Sequence, residues 1–511
     1  MNPSWMQGHT SDIEYSAGYY REQEPALINM SAIMHGIEPV PMDKSFTYCE
    51  LGCGMGYTSL IMAANHPQGK FIAVDSNPSY ISQAKRIAEE AGLDNIEFMK
   101  HSFEELVNDS SLLPICGFIT FHNISTWVGD ENRQYLSDIC KRHLKSGGLV
   151  YNSYNAQPGW AAVAPLQKTL NVLSQQYSGD NIERFSSAAN FINNFRELKP
   201  YYFELNSTML EPRLDNIKNI HPAYLAHEYL HEDWQALYFS DVASNMAQAK
   251  LDFVGLASPA EAYSHTIIPE KLKQQLSELV DVSAREMVKD LAYNTSFRKD
   301  LYSRGGRQIN AQRQVELLNK IQWMLTSPKD QSEFTFNLSV GEVTGDPDAY
   351  TKVIKALAGK GQSTEELLKK TKIPVNNLVQ ILIFLYSNNR ILIENSTQKT
   401  TKVCGLNKAL LAENINQQKA LAIAAGKIGT AMLLNPIELA FLSSYFETKN
   451  QKKKEKTSIA DNMFEELSSK GLSLTISDKT YSGAKMKKPL KEIEKSWLKE
   501  TLPRLQDMGC L

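Results

Sequence analysis

The chain has 511 residues, more than one hydrophobic core can serve, and its length alone points to roughly three to four domains. A composition of 42% hydrophobic and 22% charged residues is that of an ordinary globular protein and excludes a fibrous or disordered chain. A net charge of −3 excludes a general electrostatic attraction for nucleic acid; residues 449–511 carry 14 Lys and Arg against 9 Asp and Glu, an excess read as a solvated face or loop.

From about residue 46 to 155, short β-rich runs alternate with amphipathic helical stretches. Phe46–Leu51, Phe71–Asp75, Ile96–Met99, Phe118–His122 and Leu149–Tyr154 read as strands, with helices beginning near Tyr57, Ser79 and Glu131. That rhythm predicts an α/β fold with a parallel, doubly wound sheet. Residues 161–223 break it with a helical, polar insertion, and Leu251–Ala257 reads as a later strand returning to the same sheet. Residues from about 265 to 330 read as almost wholly helical. Between Asp348 and Glu394 come a helix (Tyr350–Ala358), the capping sequence Ser363-Thr-Glu-Glu366, an apolar helix (Val375–Tyr386) and a short strand, an order that predicts a winged helix. The expected domains are 1–160, a helical insertion 161–223, 224–306 including the return to the sheet, a helical linker or middle domain 307–347, a winged-helix domain 348–400 and a C-terminal domain 401–511.

Glu50-Leu-Gly-Cys-Gly-Met-Gly56 follows a predicted strand and opens a helix. Glycines at 52, 54 and 56, with Cys53 between, let the backbone turn sharply and meet a ligand closely, and the helix N-terminus offers free N–H groups. Asp75, nineteen residues on at the end of the second strand and followed by Ser76, can accept both ribose hydroxyls of an adenosine ligand. A dinucleotide site wants G-x-G-x-x-G; here the spacing is G-x-G-x-G with an acid two residues ahead. Glu50 would repel a pyrophosphate but can hold the ammonium of S-adenosylmethionine (SAM), so SAM is the expected cofactor, with a dinucleotide or an empty structural loop as the alternatives. Ser102 and Phe103, after the third strand, fit the adenine; Ser102 with Glu105 also reads as an ordinary capping box. His122 and Asn123 end the fourth strand, where a methyl acceptor would meet the sulfonium. Tyr19, Tyr20, Trp127, Tyr154 and Trp160 are the aromatic candidates for the acceptor channel.

Gly8-His-Thr-Ser-Asp-Ile-Glu-Tyr15, Gly18-Tyr-Tyr-Arg21, Tyr48-Cys-Glu-Leu-Gly-Cys-Gly54, Tyr154-Asn-Ala-Gln-Pro-Gly-Trp160, Tyr224-Leu-Ala-His-Glu-Tyr-Leu230 with Asp233-Trp234, and Phe297-Arg-Lys-Asp300 with Arg304-Gly305 together resemble one group of class I methyltransferases. That group carries a methyltransferase regulatory domain, expected here at about 224–306, and includes rickettsial protein-lysine methyltransferases that modify outer-membrane proteins. Some members of the group methylate lysine, and a protein lysine is the expected acceptor here; the resemblance itself implies a dimerisation segment over 161–223 and the domain order read above. An RNA or small-molecule methyltransferase, or a SAM-binding scaffold without turnover, stands as the alternative.

His227-Glu-Tyr-Leu-His231 is a literal H-E-x-x-H zinc motif, but packing against the SAM domain or lining the acceptor channel is the better reading, and no metal is expected. Val375–Tyr386 offers Asn376, Asn377 and Gln380 but no Arg or Lys, so the winged helix is not expected to read DNA. Pro114 and Cys116 are split by Ile115, and no Asn/Asp-Pro-Pro-aromatic sequence follows the fourth strand; nucleic-acid methyltransferase signatures are missing. Six cysteines without a C-x-x-C pair fit a reducing compartment. Residues 1–12 lack an apolar signal core and Leu378–Tyr386 is too short to span a membrane, so the cytoplasm is the expected location.

Overall fold

The computed structural model describes residues 18–217, 222–326, 333–395, 401–414, 420–450, 458–469, 471–476 and 479–511. The Gly8–Tyr15 motif, the side chain of His227 and the lysine-rich run 451–456 lie outside the described residues. Seven strands form the central sheet: β1 Phe46–Leu51, β2 Gly69–Asp75, β3 Ile96–Lys100, β4 Cys116–His122, β5 Leu144–Asn155, β6 Asp252–Leu256 and β7 Phe297–Ser303. Their order is β3-β2-β1-β4-β5-β7-β6, with β7 antiparallel to both neighbours and the first five parallel.

The helices that flank it are α1 Pro25–Met34, α2 Tyr57–Asn65, α3 Pro78–Glu90, α4 Phe103–Asn108 and α5 Asp130–His143. On one face of the sheet Tyr48, Phe71, Phe118, Tyr151 and Leu301 pack with Ile28 and Ala32 of α1 and Met62 of α2. On the other face Cys49, Ile72, Ile119, Phe121 and Val150 pack with Leu136 and Ile139 of α5. Alternation along each strand therefore decides which side chains share a face, and on the α1 and α2 face these include Glu50 and His122.

Between β5 and β6 run α6 Ala164–Ser174, α7 Asn181–Glu197, α8 Tyr201–Leu205, α9 Ser207–Ile217, α10 Pro222–Leu230 and α11 Phe239–Gln248. Trp127, Trp160, Phe185, Tyr229 and Trp234 form the core under the first of these. After β6 come α12 Glu270–Glu278 and α13 Val282–Tyr293. Further on, Gln322–Leu325 pairs with Gln362–Ser363 and Ile391–Ile393 in a three-stranded sheet. Helices Pro347–Leu357, Thr364–Thr371 and Val375–Ser387 cover it. The helix Thr401–Asn414 and the hairpin Leu421–Ala425/Thr430–Leu434 belong to one apolar cluster with Leu60 and Ile61 of α2 and Ala84 and Ile87 of α3.

Two expectations are corrected. Residues 265–330 are not wholly helical, because β7 lies among them and fills the gap between β5 and β6. Residues 307–347 are not a helical unit either: after one helix, Ala311–Asn319, they contain strands Gln322–Leu325, Thr335–Leu338 and Gly341–Thr344. The second miss has a non-local cause, since Gln322–Leu325 gains its ladder from residues 362–393. The first has a chemical cause. β7 buries charges, and hydropathy does not show a strand whose inward residues are Arg298 and Asp300.

Arg298 is 2% exposed and its guanidinium is fully engaged. Nη1 donates to both Asp290 oxygens at 2.8 and 2.9 Å, Nη2 to Glu286 at 3.1 Å, and Nε to Asp300 at 3.0 Å. Tyr154 donates to the other Asp300 oxygen at 2.6 Å. The cluster joins α13 to the sheet; removing Arg298 leaves Asp290 and Asp300 buried without a cation, while Glu286 keeps Lys289. Arg298→Ala is therefore expected to lower unfolding free energy by about 3–5 kcal/mol in a denaturant melt; a loss under about 1 kcal/mol would mean the cluster is solvated and worth no more than a surface pair.

Candidate active site

The turn leaving β1 is pinned to β2: the N–H groups of Gly52 and Cys53 both donate to the Val74 carbonyl, at 2.8 and 3.0 Å. Gly52, Gly54 and Gly56 all adopt left-handed φ values, 73°, 54° and 70°. A Cβ at Gly56 would lie 2.4 Å from the Phe98 ring, and one at Gly52 2.3 Å from Ile124 Cδ1, so side chains there are excluded by strain and by space. No side chain caps α2, which leaves its first amides available to a ligand.

Asp75 ends β2 facing this turn. One carboxylate oxygen accepts from the Gly54 N–H and the other from Asn77 N–H, each at 2.9 Å. Burial pushes its carboxyl up, and backbone N–H groups, that of Ser76 among them, pull it partly back. Burial and the nearby acids also push the Cys53 thiol well up, which keeps it protonated, and its Sγ lies 3.5 Å from the Gly54 carbonyl. Ser102 caps α4 in a full capping box with Glu105, and Phe103 packs partly buried against the sheet core. The structural role of Ser102 is thus in place; it leaves adenine recognition open.

Glu50 is 4% exposed on β1. Its two oxygens accept from Gln23 Nε2 at 3.0 Å and Ser59 Oγ at 2.5 Å. Burial outweighs both hydrogen bonds and raises its pKa to about 7.

Across the sheet, His122 sits opposite Ser153 of β5. Ser153 Oγ accepts from the Asn123 N–H at 2.9 Å and lies 3.0 Å from His122 Nδ1. Tyr151 Oη lies 2.9 Å from the same nitrogen, so two hydroxyls hold the ring in place. The Tyr20 ring stacks on His122 with centroids 3.9 Å apart, and Phe297 lies 6.0 Å away. Beside them Lys299 pairs with Glu22. Burial lowers the His122 pKa to about 4, so the imidazole is neutral at ordinary pH. Asn123 is held at φ 58° and its Oδ1 is buried with no partner.

His122, Asn123 and Tyr20 are brought together. Tyr19, Trp127 and Tyr154 are not with them. The Tyr19 hydroxyl is committed to Glu24 and Thr430. Trp127 belongs to the core of the helical insertion with Trp160 and Trp234. Tyr154 points to the opposite face, into the Arg298 cluster. Sequence reasoning did not name Gln23, Ser59, Tyr151, Ser153 or Glu22, and it met Phe297 and Lys299 only within a family motif, with no place at the site. Strand alternation could have found two of these, since Tyr151 and Ser153 share the His122 face and Tyr154 does not. As for the H-E-x-x-H sequence, Glu228 accepts from Asn155 Nδ2 at 2.9 Å and Trp234 Nε1 at 3.3 Å, and a His231 ring nitrogen accepts from Asp233 N–H at 3.2 Å. The Asn155–Glu228 bond ties α10 to the end of β5.

A cradle of bare backbone, a carboxylate at the end of β2 and a buried carboxylate on β1 fit an adenosyl amino acid. Residues 42–185 match the family model of a methyltransferase domain, and residues 221–304 that of a predicted methyltransferase regulatory domain. An uncharacterized protein of Synechocystis sp. is 31% identical over 516 residues, covering 99% of both chains. An uncharacterized protein of Rickettsia prowazekii is 25% identical over 58% of this chain and 53% of its own. Among solved structures, PKMT2 from Rickettsia typhi in complex with AdoHcy superposes with a TM-score of 0.72 at 18% identity, over 97% of this chain and 99% of that one. The fold, the strand order and the family matches agree, and the chain belongs to the class I SAM-dependent methyltransferases that carry a methyltransferase regulatory domain.

Proposed function

We propose that the enzyme methylates lysine side chains of protein in the cytoplasm. The observation that carries this reading is the end-to-end likeness to PKMT2, a lysine methyltransferase, together with the ring cluster of Tyr20, His122 and Phe297 at the end of β4. Six unpaired cysteines suit that compartment. Among the described residues no helix is long and apolar enough to cross a membrane.

In this reading Asp75 takes the ribose hydroxyls, Glu50 the ammonium, the Gly52–Gly56 turn the amino-acid portion, and Ser102 and Phe103 the adenine. Bound SAM supplies an electrophilic methyl group on a sulfur that leaves readily. A lysine must arrive as the neutral amine, which at pH 7.4 is about one molecule in a thousand, or about 4 kcal/mol. His122 cannot take that proton, because its pKa near 4 lies far below that of the ammonium. The recess formed by Tyr20, His122 and Phe297 instead favours the neutral amine by excluding water. Asn123 Oδ1, next in the chain, is buried without a partner; an amine N–H held on it would leave the nitrogen lone pair aimed for in-line attack. The proton released after transfer goes to solvent.

The direct test is SAM binding by the wild type and Asp75→Ala, then methyl transfer to membrane and cytosolic protein fractions. Expected are binding that is lost in the variant and label on lysines. Label on RNA or on no protein would remove the lysine reading.

Because Glu50 is half protonated near pH 7, affinity for the SAM ammonium should rise through that pH, falling about tenfold per unit below it. It should decline again above about 8 as the ligand's amino group loses its proton. Glu50→Gln should bind more weakly and lose the acid limb; an unchanged profile in that variant would take Glu50 out of the site.

We also infer that residues 161–223 pair two copies of the chain. Phe191, Phe195, Leu198, Tyr201 and Leu205 are 41–76% exposed along α7 and α8, an apolar stripe that a second copy would cover. Light scattering should give twice the chain mass, reduced to one by Leu198→Glu with Tyr201→Glu. A monomeric wild type would overturn the inference.

A further inference from the structure

Residues Tyr19–Glu24 form a short strap between α2 and the C-terminal half of the chain, and its side chains divide between two destinations. Tyr20, Glu22 and Gln23 reach the active site: Tyr20 onto His122, Glu22 onto Lys299, Gln23 onto Glu50. Tyr19, Arg21 and Glu24 reach the other way. Tyr19 and Thr430 both bond Glu24, which is 2% exposed. Arg21 donates from Nη1 to the Tyr386 carbonyl at 3.0 Å and lies 4.5 Å over the Tyr386 ring. Thr430 is itself fixed, its carbonyl accepting from Asn65 Nδ2 of α2 at 2.6 Å.

Gln23 is the informative member. It is 0% exposed, its Nε2 donates to Glu50, and its backbone carbonyl accepts from Tyr48 Oη at 3.2 Å. Its remaining group, Oε1, is buried without a partner. A buried amide oxygen left unsatisfied is costly unless something fills it. Beside a carboxylate assigned to an ammonium, the group that would satisfy it is a further N–H of that same ammonium, which has three to give.

We propose that Gln23 is a second acceptor for the cofactor's ammonium, held in register by the Thr430 and Tyr386 clamp, so that the C-terminal region positions part of the cofactor site. The proposal rests on the assignment of Glu50 to that ammonium. It makes a region more than 350 residues away in sequence a determinant of cofactor affinity, through contacts that never touch the ligand.

The test uses two probes on the full-length chain: S-adenosylhomocysteine, which carries the ammonium, and 5′-methylthioadenosine, which lacks the whole amino-acid portion. Gln23→Met keeps the volume and removes the acceptor. It should weaken S-adenosylhomocysteine by roughly tenfold or more while leaving methylthioadenosine unchanged. Thr430→Val, remote from the ligand, should show the same selective loss at about threefold to tenfold. Asp75→Ala should weaken both probes, and its failure to do so would remove the underlying cofactor assignment rather than this proposal. Equal losses of both probes in Gln23→Met, or none, would overturn the role of Gln23. A selective loss in Gln23→Met with Thr430→Val unaffected would overturn the clamp. Melting temperatures of all three variants separate these outcomes from misfolding, and Thr430→Val keeps the clamp testable should Gln23→Met not fold.

Discussion

The structure turns on one antiparallel strand. β7 is inserted between β5 and β6, and its alternation sends Arg298 and Asp300 to one face and Phe297 and Lys299 to the other. Within the first pair Arg298 also holds Glu286 and Asp290 while Tyr154 donates to Asp300, which fixes α13 to the sheet. The second pair borders His122 and holds Glu22. A one-residue slip in register would bury Lys299 among acids built for Arg298 and remove Phe297 from the recess. A guanidinium suits this task better than an ammonium would, because its fork satisfies three carboxylates at once. The buried ion cluster and the ring cluster at His122 are therefore two faces of one pairing decision.

Much of the cofactor cradle was legible because it is local. A G-x-G-x-G turn after a strand constrains its own backbone, and left-handed φ at residues 52, 54 and 56 follows from having no Cβ. Asp75 was legible for the same reason, as the last residue of an apolar run. The fold class and the family followed from strand and helix rhythm together with dispersed motifs.

What was not legible depends on contacts remote in sequence. Tyr154 was chosen as an acceptor-site aromatic although Tyr151 and Ser153 occupy that face, an error that period-two alternation would have caught. Tyr19 and Tyr20 are adjacent in sequence and indistinguishable by composition, yet one meets Thr430 and the other His122. Gln23 carries no motif at all; its meaning comes only from Glu50, 27 positions on. Charges hid β7 from a hydropathy reading, since a buried Arg satisfied by acids looks like a surface residue in sequence.

The cofactor side of the site is acidic and costly when empty. Burial raises both Glu50 and Asp75, so each carboxylate is held in a place that penalises its charge. With Glu50 and Asp75 facing the cofactor as proposed, a ligand that brings positive charge relieves part of that penalty, and one that does not leaves it standing. SAM has a sulfonium and an ammonium against one carboxylate; its demethylated product keeps only the ammonium. The same burial that makes the empty pocket unfavourable therefore biases it toward substrate over product. Neutrality on the acceptor side acts in the opposite sense. His122, its charge suppressed by burial, adds no positive field to oppose a sulfonium, and its neutral ring lies against Tyr20. In the proposed arrangement, acid on one side and neutral rings on the other would put the cation with the cofactor and the lone pair with the acceptor, which is the polarity that methyl transfer requires.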